Sequence, residues 1–554
     1  MKETSAACLK RRGLLYFVFL SIILLSSGIK LSGQTLTAGD FRAVTTGNWN
    51  STSTWQTYDG TAWVAATTIP GVSASPLNVY IDNTVTLNVD VYGSSAPYLR
   101  NVYIYSGGTL TISGNYNFRA NGVFSVTGKF IDSNASGTDM FVGNITVDST
   151  GTWNTSVSTG ANQTRVYGNI TNNNTNAGSF QAGYIRLASS TSQTFAGTGP
   201  IYIGGNLEID NSTTVTNANT NVVTVTGKLD RSAVSASGTP SWINSTNSTL
   251  RYNGTSANLF ATAGTLTATA TGNTVVYGGA GTQNILAVTY HNLAIDGSNT
   301  KTLLGAVTIN GNLTITNGCT LDVSTSNYAI SIAGNWTDSG TFQRRSGTVT
   351  LAGTSAQLIS AETFYKLITD GGGTKTLAGN VSISGTFTMT SGNIITSTNK
   401  IILTGSKPND FTYTSGTIVG YFERYIGYTS GNYLFPVGTE TSRQSVTLLF
   451  TNLPVTTGSL VVSFIPNDPG ASGLPVTDAT APARTINDTY PAGYWMVLAQ
   501  NGLVSSSYNV TADIVGFAPV LNTATRLLKR TDTGGTWGLD GTHLIMSSTS
   551  VRRT

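Results

Sequence analysis

Charge is scarce in this chain of 554 residues: Asp, Glu, Lys and Arg together make up 10% of it, against about 25% in ordinary globular domains. A surface with so little charge has to be dressed in Thr, Ser and Asn. These side chains suit pleated strands and turns and make poor helices, so almost no helix is expected. Cysteine is nearly missing as well. Cys8 lies in the first segment and Cys319 stands alone, which excludes an internal disulfide. The two histidines, His291 and His543, are isolated, and with a single thiol they do not make a zinc site, which needs ligands at short characteristic spacings. The chain also lacks a G-x-S-x-G elbow, a phosphate-binding loop, a dinucleotide fingerprint and the nonapeptide calcium repeat. No cofactor and no metal is expected.

Residues 1–33 read as an export signal. Lys10, Arg11 and Arg12 supply the positive start, and Leu14 to Leu25 (LLYFVFLSIILL) supply an apolar run too short for a membrane span of roughly 20 residues. Cleavage after Gly33, exposing Gln34, is expected. The alternative is a retained N-terminal anchor. The formal charge of +4 is carried entirely by this segment, where Lys2, Lys10, Arg11, Arg12 and Lys30 stand against Glu3. The mature chain is then formally neutral, with no electrostatic reason to bind nucleic acid or acidic membranes. A large exported protein without disulfides suits a bacterium better than an oxidising endoplasmic reticulum, and its Asn-x-Ser/Thr triplets are compositional accidents.

What the chain does have is a repeat. Thr289 to Ile315 (TYHNLAIDGSNTKTLLGAVTINGNLTI) matches Thr363 to Met389 (TFYKLITDGGGTKTLAGNVSISGTFTM) at 13 of 27 positions without a gap, 74 residues apart. Upstream, Thr274, Val275 and Gln283 fall on Thr348, Val349 and Gln357. A repeat of this kind means stacked units. The 23-residue step from Gly311 to Gly334 suggests three coils of about 25 residues per period. Alternation of Val307, Ile309, Leu313 and Ile315 with Thr, Asn and Gly puts one side of each strand inside a narrow tube. Earlier, Gly128, Gly143, Gly168, Gly205 and Gly227 open similar strands, and a positive φ is expected at such corner glycines.

The ends differ from the middle. Trp49, Trp55, Tyr58 and Trp63 crowd into fifteen residues. They read as a cap over the open end of the stack, or alternatively as a platform on which sugar rings stack. After Phe411 the strands lengthen and aromatics and prolines increase, which predicts an antiparallel β-sandwich. The expected fold is all-β: a signal peptide at 1–33, an N-terminal cap at 34–80, a right-handed parallel β-helix at 81–410 and a sandwich-like domain at 411–554. The end at Val551-Arg552-Arg553-Thr554 suggests a fragment.

Carboxylates or basic groups on one exposed flank would suit a polysaccharide-cutting enzyme. Asp296 and Asp370 are equivalent in the two copies, as are Lys301 and Lys375. Each aspartate precedes glycine, however, in a turn signal. Stacked three coils apart they would lie about 14 Å from each other, beyond the ~5 to 10 Å of an acid–base pair. His291 is matched by Tyr365, and Arg344-Arg345 reads as a solvated corner. No catalytic residue is assigned. The only candidate ligand contacts are Trp49, Trp55, Tyr58 and Trp63, for a glycan.

The repeat TFYKLITDGGGTKTLAGNVSISGTFTMTSGNIITSTNKIILTG resembles repeats of large secreted or cell-surface proteins of Bacteroidetes bacteria. GDFRAVTTGNWNSTSTWQTYDGTAWVAA and YIGYTSGNYLFPVGTE look like the segments that precede and follow such repeats. The resemblance implies a β-solenoid outside the cell, and usually a C-terminal sorting domain of the type IX secretion route, which is not found after Arg530. The expected function is a non-enzymatic, adhesin-like structural protein, with extracellular glycans or surface proteins as partners. The alternatives are a polysaccharide lyase or hydrolase on a β-helix, or a glycan-binding module.

Overall fold

The computed structural model describes residues 35–554, apart from 73–76, 92–97, 134–139, 156–163, 211–212, 230–238, 261–263, 514–516, 518–521, 523 and 546–548. The expected export signal therefore lies outside the described residues. Helix among them is limited to two single 3-10 turns, Thr52–Thr54 and Pro408–Asp410. The rest is strand and turn, wound into a β-solenoid of about 14 coils.

Period-two alternation sets each strand's two sides. Val307, Ile309, Leu313 and Ile315 all point into the tube and are buried, while the Thr residues between them face out. Successive coils pair in parallel, so the backbone ladder runs along the tube and each coil lines up with the next. Leu293 stacks under Leu313, Leu313 under Trp336, Trp336 under Ile359 and Ile359 under Leu377, in steps of 20, 23, 23 and 18 residues.

Those steps correct the expected period. A coil here holds three strands, and the second copy of the repeat begins eleven strands after the first. The 74-residue unit is thus three and two-thirds coils, not three. Leu293 and its copy Leu367 lie on different faces of the tube, Leu293 pairing with Leu313 and Leu367 with Val349 and Phe387. Each strand's sequence encodes an inside and an outside, but nothing in it names the face.

The corner glycines also differ from expectation. Gly128, Gly143, Gly168, Gly205, Gly227, Gly311 and Gly334 do not adopt positive φ. The coils approach too closely for a side chain: a Cβ on Gly334 would come 2.4 Å from the Gly311 carbonyl below. The glycine of the Asp-Gly turns does need its conformational freedom, with φ of +81° at Gly297 and +76° at Gly371. Beside the close-packed glycines stands an asparagine whose Oδ1 accepts an N–H from the next coil. Asn292 serves Asn312, Asn312 serves Asn335 and Asn335 serves Leu358, at 2.8 to 2.9 Å.

Parallel coil pairing starts inside the expected cap, at Phe41–Ala43 against Val79–Ile81, and runs on to Ile394–Leu403 against Ile418–Ile426. At the N-terminal end, Trp55–Tyr58 and Trp63–Ala65 add to Phe41–Ala43 as an antiparallel hairpin. At the other end Ile418–Ile426 pairs antiparallel with Gly458–Ile465, which pairs with Tyr494–Gln500. A second antiparallel sheet joins Gly431–Phe435, Val446–Phe450, Asn509–Asp513, Ser550–Arg553 and His543–Ile545. Where the two kinds of pairing meet, the guanidinium of Arg424 is buried among the rings of Phe411, Tyr433 and Phe435 and donates to the carbonyls of Leu434 and Pro408.

Candidate functional site

The four aromatic residues expected as glycan contacts divide into two pairs. Trp49 and Trp55 are 0% and 1% exposed, so neither ring can meet a sugar. Their centroids are 4.9 Å apart, edge to face, and Trp49 packs in turn on Phe118. Both indole N–H groups are used internally, that of Trp49 on the Pro70 carbonyl and that of Trp55 on the Trp49 carbonyl. The large apolar rings fill the end of the tube, the first coil among the described residues, and their burial corrects their assignment as ligand contacts.

Tyr58 and Trp63 stay half-buried on the hairpin, 5.5 Å apart, with the Arg42 guanidinium 5.0 Å above Trp63. They continue a row that the chain sequence shows only as alternating tyrosines. Trp63 meets Tyr80 edge-on at 6.1 Å, and Tyr80 stacks almost parallel with Tyr103 at 5.4 Å and Tyr105 at 6.3 Å. Parallel register of Val79–Ile81 with Val102–Ile104 brings these tyrosines together from neighbouring coils. Burial, with Tyr103 and Asp82 nearby, pushes the Tyr105 phenol up to about 12, and Tyr80 is raised further for the same reason. The phenols are therefore neutral at any physiological pH and can donate hydrogen bonds. Tyr80 is buried and its hydroxyl faces Asp40, whereas Tyr103 and Tyr105 are half-buried, and half-buried rings with hydroxyl tips can offer a sugar both a stacking face and a polar contact.

The copied polar residues of the repeat serve the interior. Lys301 and Lys375 are fully buried, and each ammonium donates to three backbone carbonyls: Gly279, Gly281 and Ser298 for Lys301, Gly353, Asp370 and Gly373 for Lys375. Burial pushes Lys375 down to about 8, and Lys301 is lowered in the same way. One coil below, Gln283 pairs with Lys301 and Gln357 with Lys375 in register. The Gln357 amide donates to Ile332 and Gly334 and accepts from Gly353 N–H, and Gln283 repeats the pattern on Tyr252, Gly254 and Gly279. Each Gln–Lys pair closes a corner by supplying side-chain donors to its turn carbonyls, some of which, such as Gly353 and Ile332, also accept a backbone N–H from the next coil. Asp296 is held by Arg251 and Thr316, and Asp370 accepts from Ser391. Because the copies lie on different faces, the two aspartates do not form a ladder.

One carboxyl pair escaped the sequence reading because its members are not copies. Glu362 and Asp338 come from adjoining coils and hydrogen-bond to each other. Desolvation, with Asp338 close by, raises Glu362 to about 8, so it carries a proton at neutral pH. Its oxygens accept from Trp336 Nε1 and Thr363 N–H, and Asp338 accepts from Gly340 N–H.

The histidines are not brought together into a site: His291 is half-buried in the repeat and His543 is buried in the C-terminal sheet. Among the described residues no group of three or more His, Cys, Asp or Glu could hold a metal. A cleft of about 940 Å³ opens in the C-terminal region, lined by Tyr490, Tyr494, Trp495 and Trp537 among others, with the Arg530 guanidinium 4.4 Å over the Trp537 ring. Comparison of the chain with protein-family profiles, with curated proteins and with solved structures gives no significant match.

Proposed function

We propose that this protein is a non-enzymatic structural component of the outside of a bacterial cell, exported by its N-terminal segment. Its solenoid acts as a rigid spacer that meets extracellular glycans on its flank. The spacer winds right-handed, as parallel crossovers generally do, and its two C-terminal antiparallel sheets pack as a sandwich. The observation that carries the reading is the destination of the polar residues. The repeat's copied lysines, glutamines and asparagines are spent on corners and interstrand bonds, while Trp63, Tyr103 and Tyr105, gathered around the buried Tyr80, stay half-buried at the surface.

The test is glycan-array binding by the mature chain and by Trp63→Ala with Tyr105→Ala. Binding should be retained by a correctly folded wild type and weakened in the double variant. An array on which wild type binds no glycan would overturn the contact role.

A second reading, a polysaccharide-active enzyme, has one observation in its favour: the protonated Glu362 beside Asp338 has the form of a general acid with its partner. The hydrogen bonds that already occupy this pair from Trp336, Thr363 and Gly340 weigh against it. Release of reducing or unsaturated sugar ends from polysaccharides by the wild type, lost in Glu362→Gln, would replace the structural reading with the enzymatic one.

A further inference from the structure

The C-terminal cleft is built by two antiparallel sheets and a hairpin. In the second sheet, register sets Leu448 beside Val510 and Val510 beside Arg553, with Val446, Ala512 and Val551 in the next row. All of them line the cleft, and Trp495 and Val497 line it from the strand Tyr494–Gln500 of the other sheet. Lys529 and Gly538 exchange both backbone hydrogen bonds, at 2.9 and 3.0 Å, which makes a hairpin of the segment between them. Arg530 and Trp537 therefore stand opposite each other at a non-hydrogen-bonded position, where cross-strand side chains come closest. The Arg530 guanidinium lies 4.4 Å over the Trp537 ring and 5.7 Å from the Tyr494 ring.

The other cations lining the cleft are already paired within the protein. Lys529 is bound to Asp540, and Arg526 and Arg553 are both bound to Asp478. The indole N–H groups of Trp495 and Trp537 donate to the Gln444 and Gly470 carbonyls, and the Tyr490 and Thr525 hydroxyls bond each other. Arg530 is different. Among the described residues its guanidinium has neither an ion pair nor a hydrogen bond, and only the two rings hold it. A guanidinium held over a ring keeps its N–H fork free for a carboxylate, which it meets with two parallel bonds. Asp488 and Asp532, exposed in the cleft lining, would repel further anions beside it.

The volume, about 940 Å³, stands near the top of the ~300 to 1,000 Å³ range of clefts for small organic ligands, and an inorganic anion would leave most of it empty. Half-buried Tyr490, Tyr494 and Trp495 present ring surface on which sugars can stack. We propose that the cleft binds a short glycan carrying one carboxylate, a uronate-tipped oligosaccharide, with the carboxylate on Arg530 and neighbouring sugar rings along Tyr490, Tyr494 and Trp495. This rests on the extracellular-glycan reading above and adds a second contact with its own ligand class. A polyuronate or a nucleic acid would set many anions against Asp488 and Asp532 and find one unpaired cation in the lining.

The experiment measures binding of the mature protein by calorimetry at low and high salt. The probes are a xylotetraose-sized oligosaccharide tipped with one glucuronate, xylotetraose itself, tetragalacturonate and, as a non-sugar carboxylate with a ring, 3-phenylpropionate. Expected are tightest binding of the glucuronate-tipped sugar, weakening as salt rises, and a loss of at least about tenfold in Arg530→Gln, down to the level of xylotetraose. Arg530→Lys, which keeps the charge but not the fork, should fall between wild type and Arg530→Gln. It also serves as the control if Arg530→Gln loses its β-sheet circular dichroism. Equal affinity for the tipped and plain sugars, tighter binding of tetragalacturonate or 3-phenylpropionate, or unchanged binding in Arg530→Gln would overturn this site. Sugar binding lost in the Trp63/Tyr105 variant but not in Arg530→Gln would leave the flank contact standing without the cleft, whereas binding of no sugar at all would overturn both.

Discussion

Burying an ammonium is costly unless other dipoles replace its water, and Lys375 meets that condition with three backbone carbonyls. Lys375→Met would take the ammonium donor away from all three, leaving Gly353 with only the Gly373 N–H, and should lower stability by about 2–3 kcal/mol. Lys375→Gln should cost less, since Gln357 answers the same demand one coil below. The urea midpoint of each variant checks both. Glu362 makes a prediction about pH. Its pKa is about 8 in the folded chain against an ordinary 4.5, so between those values the folded state holds a proton that the unfolded state has lost. Stability contributed by this group should fall as pH rises from about 4.5 to 8 and level off above. Glu362→Gln should flatten that part of the melting-temperature profile; an unchanged slope would show that the carboxyl is already ionised.

At the scale of the strand and its corner, spacing between coils is set by backbone contact. Gly334→Ala would drive a methyl group into the Gly311 carbonyl, backbone against backbone, and should cost about 2–3 kcal/mol by forcing neighbouring coils apart. Differential scanning calorimetry would register it as a lowered melting temperature, with a much smaller effect from an alanine at exposed Thr337. The sequence carried half of this: glycine at the head of a strand was readable, but its reason was not. Positive φ and close approach leave the same letter in the chain, and only the position of the coil below tells them apart. Asp-Gly turns were readable outright, because φ there is a local property.

For the whole molecule, each coil touches only its neighbours, so damage should stay local. Trp49→Ala removes the plug from the first coil and should cost about 3–5 kcal/mol there. Hydrogen exchange should then quicken in residues 41–126 while residues 300–400 keep their protection; uniform acceleration would mean the solenoid unfolds as one unit. The near-absence of helix among the described residues, the stacking of repeated strands and the alternation of buried and exposed positions were all determined by the sequence, because composition and period-two patterning act within one strand. Which face a strand joins, that the 74-residue unit overshoots three coils by two-thirds of a turn, and that Glu362 meets Asp338 were decided only by the tertiary structure. Those are relations between coils some 20 residues apart, set by the summed lengths of the intervening turns, and no local pattern records that sum.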